Sequence, residues 1–166
     1  LTMKDGKMSK SRGNVIYPET LVDRYGLDAT RYYLLKAMPF GNDGVFSPED
    51  FVDKVNFDLA NDLGNLLNRT VAMINKSQDG KLDGQTSATT DFDADLEETA
   101  AKTIANFKQE MDATHFQDAL SAVWELVARA NKYIDETEPW VLAKDDSKTA
   151  ELSDVMTELA KLLRVI

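Results

Sequence analysis

The sequence predicts a mainly α chain: a short β-loop-αα connective module over residues 1–46, then an antiparallel α-helix bundle over 47–166. Three observations carry this. After residue 47, apolar side chains recur every three to four positions in long stretches. Before it, Gly6, Gly13, Gly26, Pro39, Gly41 and Gly44 cut the chain into short pieces. And 43% hydrophobic with 29% charged residues suits a packed core rather than a disordered chain.

Residues 1–17 read as a short strand, a loop opened by the turn pair Asp5-Gly6, and a second extended piece at Val15-Ile16-Tyr17. Pro18 suits the first turn of a helix that Gly26 stops after Tyr25. A second helix runs from about Asp28 to Ala37, with Ala29, Tyr32, Tyr33 and Lys36 at helical spacing. Pro39 to Gly44 is a loop. Ser47-Pro48-Glu49-Asp50 is a helix start: serine caps, proline takes the first position, and the acids face the positive end of the dipole.

One long helix follows to about Ser77, its face marked by Phe51, Val55, Leu59, Leu63, Leu67 and Ile74. Gly64 inside it points to a bend or a close neighbour. Gln78 to Asp93 is a polar linker and the expected site of mobility. Then come a helix over about 94–111 carrying Leu96, Ala100, Ile104 and Phe107, and another from Phe116 carrying Leu120, Val123, Val127, Ala130 and Ile134. Pro139 ends or turns that helix, and a last one from about Ser147 carries Leu152, Val155, Leu159, Leu162 and Leu163. Short connections make antiparallel packing the economical burial.

A net charge of −10 argues against indiscriminate nucleic-acid binding, which draws its affinity from phosphate neutralisation. It leaves room for the reading of splayed bases at one spot. The excess is uneven: residues 1–50 balance seven Lys/Arg against seven Asp/Glu. Cysteine is absent and His115 is the sole histidine, so neither a disulfide framework nor a zinc site is expected. No apolar run is long enough to span a membrane, no signal peptide is evident, and a cytoplasmic location fits. Leu1 at the start and the uncapped apolar end lead us to expect a piece of a longer protein, truncated at its C-terminus.

Two constellations carry chemistry. The first is Lys7-Met8-Ser9-Lys10-Ser11, followed by Arg12-Gly13-Asn14. Ammonium, hydroxyl and backbone N–H donors gathered in one loop suit a polyphosphate, although a solvated basic loop has the same composition. The second is Asn61, Asn65 and Arg69, a row at i, i+4 and i+8. It sits about 200° from Leu59, Leu63 and Leu67 and so points away from the core. Amides and a guanidinium fork can pair with a base edge, or simply face water. Trp140, after Pro139, can stack on a base or plug the core.

Lys7 to Ser11 matches the KMSKS loop of class I aminoacyl-tRNA synthetases, and Gly26-Leu-Asp-Ala-Thr-Arg-Tyr-Tyr-Leu-Leu35 also looks like that class. The stretch from Asn56 to Arg69, with Asn131 to Trp140 downstream, resembles the methionyl-tRNA synthetase family over almost the whole chain. The resemblance implies an enzyme, methionine-tRNA ligase, with residues 1–46 as its connective module and 47–166 as its anticodon-binding domain. It implies that Lys7, Met8, Ser9, Lys10 and Ser11 bind ATP, taken with Mg2+, and that Lys10 and Lys7 serve catalysis. It also implies that Asn61, Asn65, Arg69 and Trp140 bind the anticodon of tRNA(Met). The methionine pocket and the rest of the ATP site are not among these residues, so the chain alone is expected to be inactive. A stand-alone helical RNA- or partner-binding module, or the same region of another class I synthetase, stays open here.

Overall fold

The computed structural model describes residues 1–4, 6–82, 84 and 90–166. The Asp5 half of the expected Asp5-Gly6 turn, and most of the middle of the expected polar linker, lie outside the described residues. The chain is mainly helical with one small sheet, and it divides into two compact units: Leu1–Asn61 with Asn106–Ala122, and Asp62–Ala105 with Val123–Ile166.

In the first unit the sheet has the order β2-β1-β3. Strand β1 (Thr2–Met3) pairs antiparallel with β2 (Gly6–Lys7), Thr2 facing Lys7, and parallel with β3 (Val45–Phe46), Thr2 facing Val45. Strands β2 and β3 are additions to the single short strand expected, while Val15 to Tyr17 joins no strand among the described residues. Two residues carry too little alternation to announce β3. It is held instead by its surroundings: the Thr2 N–H donates to the Gly44 carbonyl at 2.8 Å. A Cβ at Gly44 would stand 2.8 Å from the Met38 side chain, so a side chain there would have to push Met38 aside.

Helix α1 (Pro18–Tyr25) begins on proline and ends at Gly26, whose φ of 88° few side chains tolerate. Helix α2 (Leu27–Ala37) packs on α1 and buries Thr30 and Tyr33. Ser47 caps α3 (Pro48–Lys54), its hydroxyl oxygen accepting from the Asp50 N–H at 3.3 Å. The core of this unit is aromatic: Tyr33, Phe46 and Phe51 are buried, with Tyr33 and Phe51 ring centres 4.9 Å apart. Lys36 Nζ donates to Ser121 Oγ at 2.6 Å, tying residues 106–122 to α2.

The long helix from Pro48 is not uniform. After α3 the backbone widens into a π-helical stretch, Val55–Gly64, and returns to α geometry in α4 (Asn65–Ser77). A wider turn keeps residues four apart on one face, which accommodates Phe51, Val55, Leu59 and Leu63. Once the 3.6-residue turn resumes, the face passes to Leu66 and Thr70, both buried, with Met73 and Ile74 half-buried. Leu67 is therefore outside, 51% exposed, and the expected stripe fails at that position.

In the second unit α4 packs on α8 (Thr149–Val165). Helix α5 (Asp93–Asp112) contributes Leu96, and α6 (Phe116–Thr137) contributes Leu126, Val127, Ala130, Tyr133 and Ile134. The short α7 (Pro139–Leu142) adds Leu142, and α8 adds Leu152, Val155, Met156, Leu159 and Leu162. Ile104 on α5, expected inside, is exposed, while Thr103 beside it is buried. Arg129 on α6 joins this unit together: it pairs with Asp95, and its Nη1 donates to Glu136 at 3.0 Å. The Tyr133 hydroxyl donates to Asp93 Oδ1 at 2.6 Å, and burial pushes the Tyr133 phenol well above its ordinary range.

Candidate functional site

The phosphate-like loop lies in the first unit. Lys7 closes β2 with its side chain exposed, while Met8 turns inward against the aromatic core. Lys10, Ser11 and Arg12 form a single 3-10 turn, and Gly13 leaves it at φ 69°. All three side chains of that turn are exposed, so Lys10 is presented to solvent on a closed turn of backbone. The hydroxyls of Ser9 and Ser11 meet at 2.8 Å, and the Ser9 N–H donates to Asn14 Oδ1 at the same distance. A cavity of about 240 Å³ in this unit, walled by Ile16, Tyr17, Leu21, Tyr25, Phe46 and Phe51, has neither lysine in its lining. Lys7, Lys10, Ser11 and Arg12 all face solvent.

The second constellation falls at the helix where geometry changes. Asn61 ends the first unit inside the π stretch, whereas Asn65 and Arg69 belong to the second unit on α4. Asn61 and Asn65 are exposed, and Arg69 is half-buried. Their expected position, about 200° from the core, needs correcting for the two on α4. With Leu66 as the centre of the buried face, Asn65 lies about 100° and Arg69 about 60° away on the same side. They border the core instead of opposing it.

That placement has a consequence for Arg69. Its Nη2 donates to Asp135 Oδ1 on α6 at 2.6 Å, which holds the guanidinium in one place. Both partners reach solvent, so the pair adds little stability, a few tenths of a kcal/mol by the usual measure of exposed pairs. What it fixes is direction. Asp135 stands five residues before Trp140, and its pairing with Arg69 is not legible in the sequence because ion pairs between distant helices leave no spacing signal.

Trp140 follows Pro139 on α7 and is 41% exposed, while Pro139 and Leu142 take the buried side. The reading of Trp140 as a core plug is thereby excluded. Glu138, just before, adopts a left-handed backbone with φ 43°, the kink that swings α7 off the axis of α6.

His115 sits outside both constellations. Its Nδ1 meets Glu110 Oε2 at 2.9 Å, and Asp118 completes a group whose ligating atoms lie within 4.8 Å of one another. His115 and Asp118 are exposed, and the pair with Glu110 closes the turn between α5 and α6. No helix among the described residues is long and apolar enough to cross a membrane.

Two family models match the chain, one after the other. Residues 1–71 match the class I tRNA synthetases of the methionine type, and residues 84–165 match the anticodon binding domain of methionyl tRNA ligase. The methionine–tRNA ligase of Lactiplantibacillus plantarum is 69% identical over all of this chain, and that of Enterococcus faecalis is 62% identical. The chain spans about 25% of the length of each of these relatives. Among solved structures, a Mycobacterium tuberculosis methionyl-tRNA synthetase in complex with methionyl-adenylate superposes with a TM-score of 0.91 at 36% identity. It covers 99% of this chain, which in turn covers 33% of that one.

Proposed function

Because this chain belongs to the methionyl-tRNA synthetase family, we propose that it supplies the ATP-phosphate loop and the anticodon reader of a methionine–tRNA ligase. In this reading residues 1–46 are the connective module and 47–166 the anticodon-binding domain of a longer cytoplasmic enzyme. The observation that supports it is the distribution of exposed side chains over the two compact units: Lys10 is exposed in the first, while Asn65 and Trp140 are exposed and Arg69 is half-buried in the second.

In the first step of such a ligase, a methionine carboxylate oxygen forms a bond to the α-phosphorus of ATP while the bond to pyrophosphate breaks. Negative charge moves onto the departing phosphates. Lys10, with Lys7 beside it, meets that charge as a positioned cation, and Ser9, Ser11 and the Met8 backbone shape the loop around it. The donors of residues 7–11 are ammonium, hydroxyl and N–H, which fit phosphate oxygens and not Mg2+. We therefore assign any Mg2+ to the nucleotide and none to this loop. The methionine pocket lies outside this chain, so the chain alone does not form adenylate.

In the second unit, Trp140 offers a stacking face for the first base of the CAU anticodon. Arg69 and Asn65 supply a fork and an amide for its polar edges, with Asn61 beyond them on the same helix. The test is Lys10→Ala in the full-length ligase. Single-turnover kinetics are expected to show adenylate formation slowed about 10²–10³-fold with tRNA affinity unchanged. An unchanged rate with a raised ATP requirement would reduce Lys10 to ground-state binding, and a matching loss of tRNA affinity would contradict the separation.

A further inference from the structure

We propose that Asn14 is the positioning residue of the phosphate loop: its side-chain amide clamps both arms of the loop and so sets where Lys10 presents its charge. The proposal rests on the reading of residues 7–11 as the ATP-phosphate loop. Asn14 Oδ1 accepts from the Ser9 N–H at 2.8 Å, and Asn14 Nδ2 donates to the Lys7 carbonyl at 3.4 Å. One side chain thus bonds the backbone on either side of Met8, across a gap of several residues in sequence.

The loop needs such a clamp. β2 ends at Lys7, so beyond it no sheet ladder holds the backbone. Within the clamp the chain makes one tight turn, the Arg12 N–H donating to the Ser9 carbonyl at 3.1 Å and the Gly13 N–H to the Lys10 carbonyl at 3.2 Å. The positive φ of Gly13 then returns the chain to Asn14. Met8, half-buried against the aromatic core, anchors the near arm, and Asn14 fastens the far arm to it. Lys10 sits at the apex of the ring so closed.

A lysine stem is flexible, and the reach of its ammonium is fixed only as well as its own backbone. For a cation that must meet charge developing on a phosphate, a displacement of about 1 Å can cost up to about a hundredfold. The amide is also the right chemistry. An aspartate would keep the acceptor for Ser9, lose the donor to the Lys7 carbonyl, and set an anionic oxygen against that carbonyl.

The test is a double-mutant cycle in the full-length ligase, read by single-turnover adenylate formation with saturating methionine and varied ATP. Asn14→Ala is expected to lower the saturating rate about tenfold, with tRNA affinity unchanged. In a Lys10→Ala background the same change should lower it no further than about twofold, because Asn14 acts through Lys10. Asn14→Asp, which keeps the Ser9 bond, should hold the saturating rate within about threefold and raise the ATP concentration required. A parent-like rate for Asn14→Ala, or losses that multiply in the double variant, would overturn the clamp while leaving the phosphate loop standing. If Lys10→Ala itself runs at the parent rate, the phosphate-loop reading falls first, and the clamp with it. Thermal scans accompany each variant. Should Asn14→Ala not fold, Asn14→Asp decides: a collapsed saturating rate at unchanged ATP requirement overturns the proposal.

Discussion

Leu66 and Leu67 are adjacent, chemically identical, and placed on opposite sides of the surface by the change from π to α geometry. Leu66 is 0% exposed and Leu67 51% exposed. Truncating Leu66 to alanine empties a site closed in by the core of the second unit, where buried Leu→Ala changes cost about 3–5 kcal/mol. Truncating Leu67 removes side-chain carbons already half in water. At about 0.8 kcal/mol per buried CH2, and with only half of the area lost, that is about 1 kcal/mol. Helix propensity adds little to either, since leucine and alanine both rank high. Urea unfolding of the 166-residue chain, followed by far-UV circular dichroism, measures both on one scale. The expected gap is about 2–4 kcal/mol. Equal losses, or a larger loss at Leu67, would mean that the 3.6-residue period does not resume at Asn65. The orientation of Asn65 and Arg69 derived from it would then be wrong.

Two further outcomes follow from the first unit. Ser47→Ala should cost about 1 kcal/mol as a lost helix cap. The Ser47 hydroxyl, and more weakly Lys4, holds the Glu49 carboxyl below its ordinary 4.5, so the variant should also titrate Glu49 upward by NMR. In the parent that contribution is present above pH 4.5 and is lost as pH falls through the lowered value; unaltered titration in Ser47→Ala would refute the assignment. Burial pushes the Tyr33 phenol from 10.0 up to about 12. The unfolded chain therefore sheds this proton first, so stability intact below pH 10 should decline between 10 and 12, and decline less in Tyr33→Phe, as pH-dependent urea midpoints would show.

Much of the fold is legible because the chain punctuates itself. Pro18 and Gly26 bracket α1, Ser47-Pro48 opens α3, and Pro139 marks the break before α7, each through a local backbone rule that needs no tertiary information. Where the structure departs from expectation, the cause is long-range. β3 is defined by its parallel pairing with β1, more than forty residues away in sequence, extended by the Thr2 N–H to Gly44 carbonyl bond. The π stretch is held by contacts within each unit: Tyr32 donates to Asp58 at 2.5 Å in the first, and Asn131 Nδ2 donates to the Asp62 carbonyl at 3.2 Å in the second. A hydrophobic pattern spaced by four fits either helix type, so periodicity alone does not show that Leu67 faces out. The candidate site divides the same way. The loop and the tryptophan stand out by composition and by position after a proline. Asn14 as a clamp and Asp135 as the partner of Arg69 emerge only when folded distances are known.

Titration with tRNA tests most directly whether the second unit reads an anticodon. The chain and its Trp140→Ala variant are each titrated, at one fixed salt concentration, with tRNA(Met) and with the same tRNA changed at the first anticodon base. The parent is expected to prefer the unchanged tRNA, and Trp140→Ala to weaken its binding by about 1–3 kcal/mol, roughly 5–150-fold. The variant's preference between the two tRNAs should shrink accordingly. Indifference of the parent to the anticodon, or a Trp140→Ala variant whose preference is intact, would contradict it.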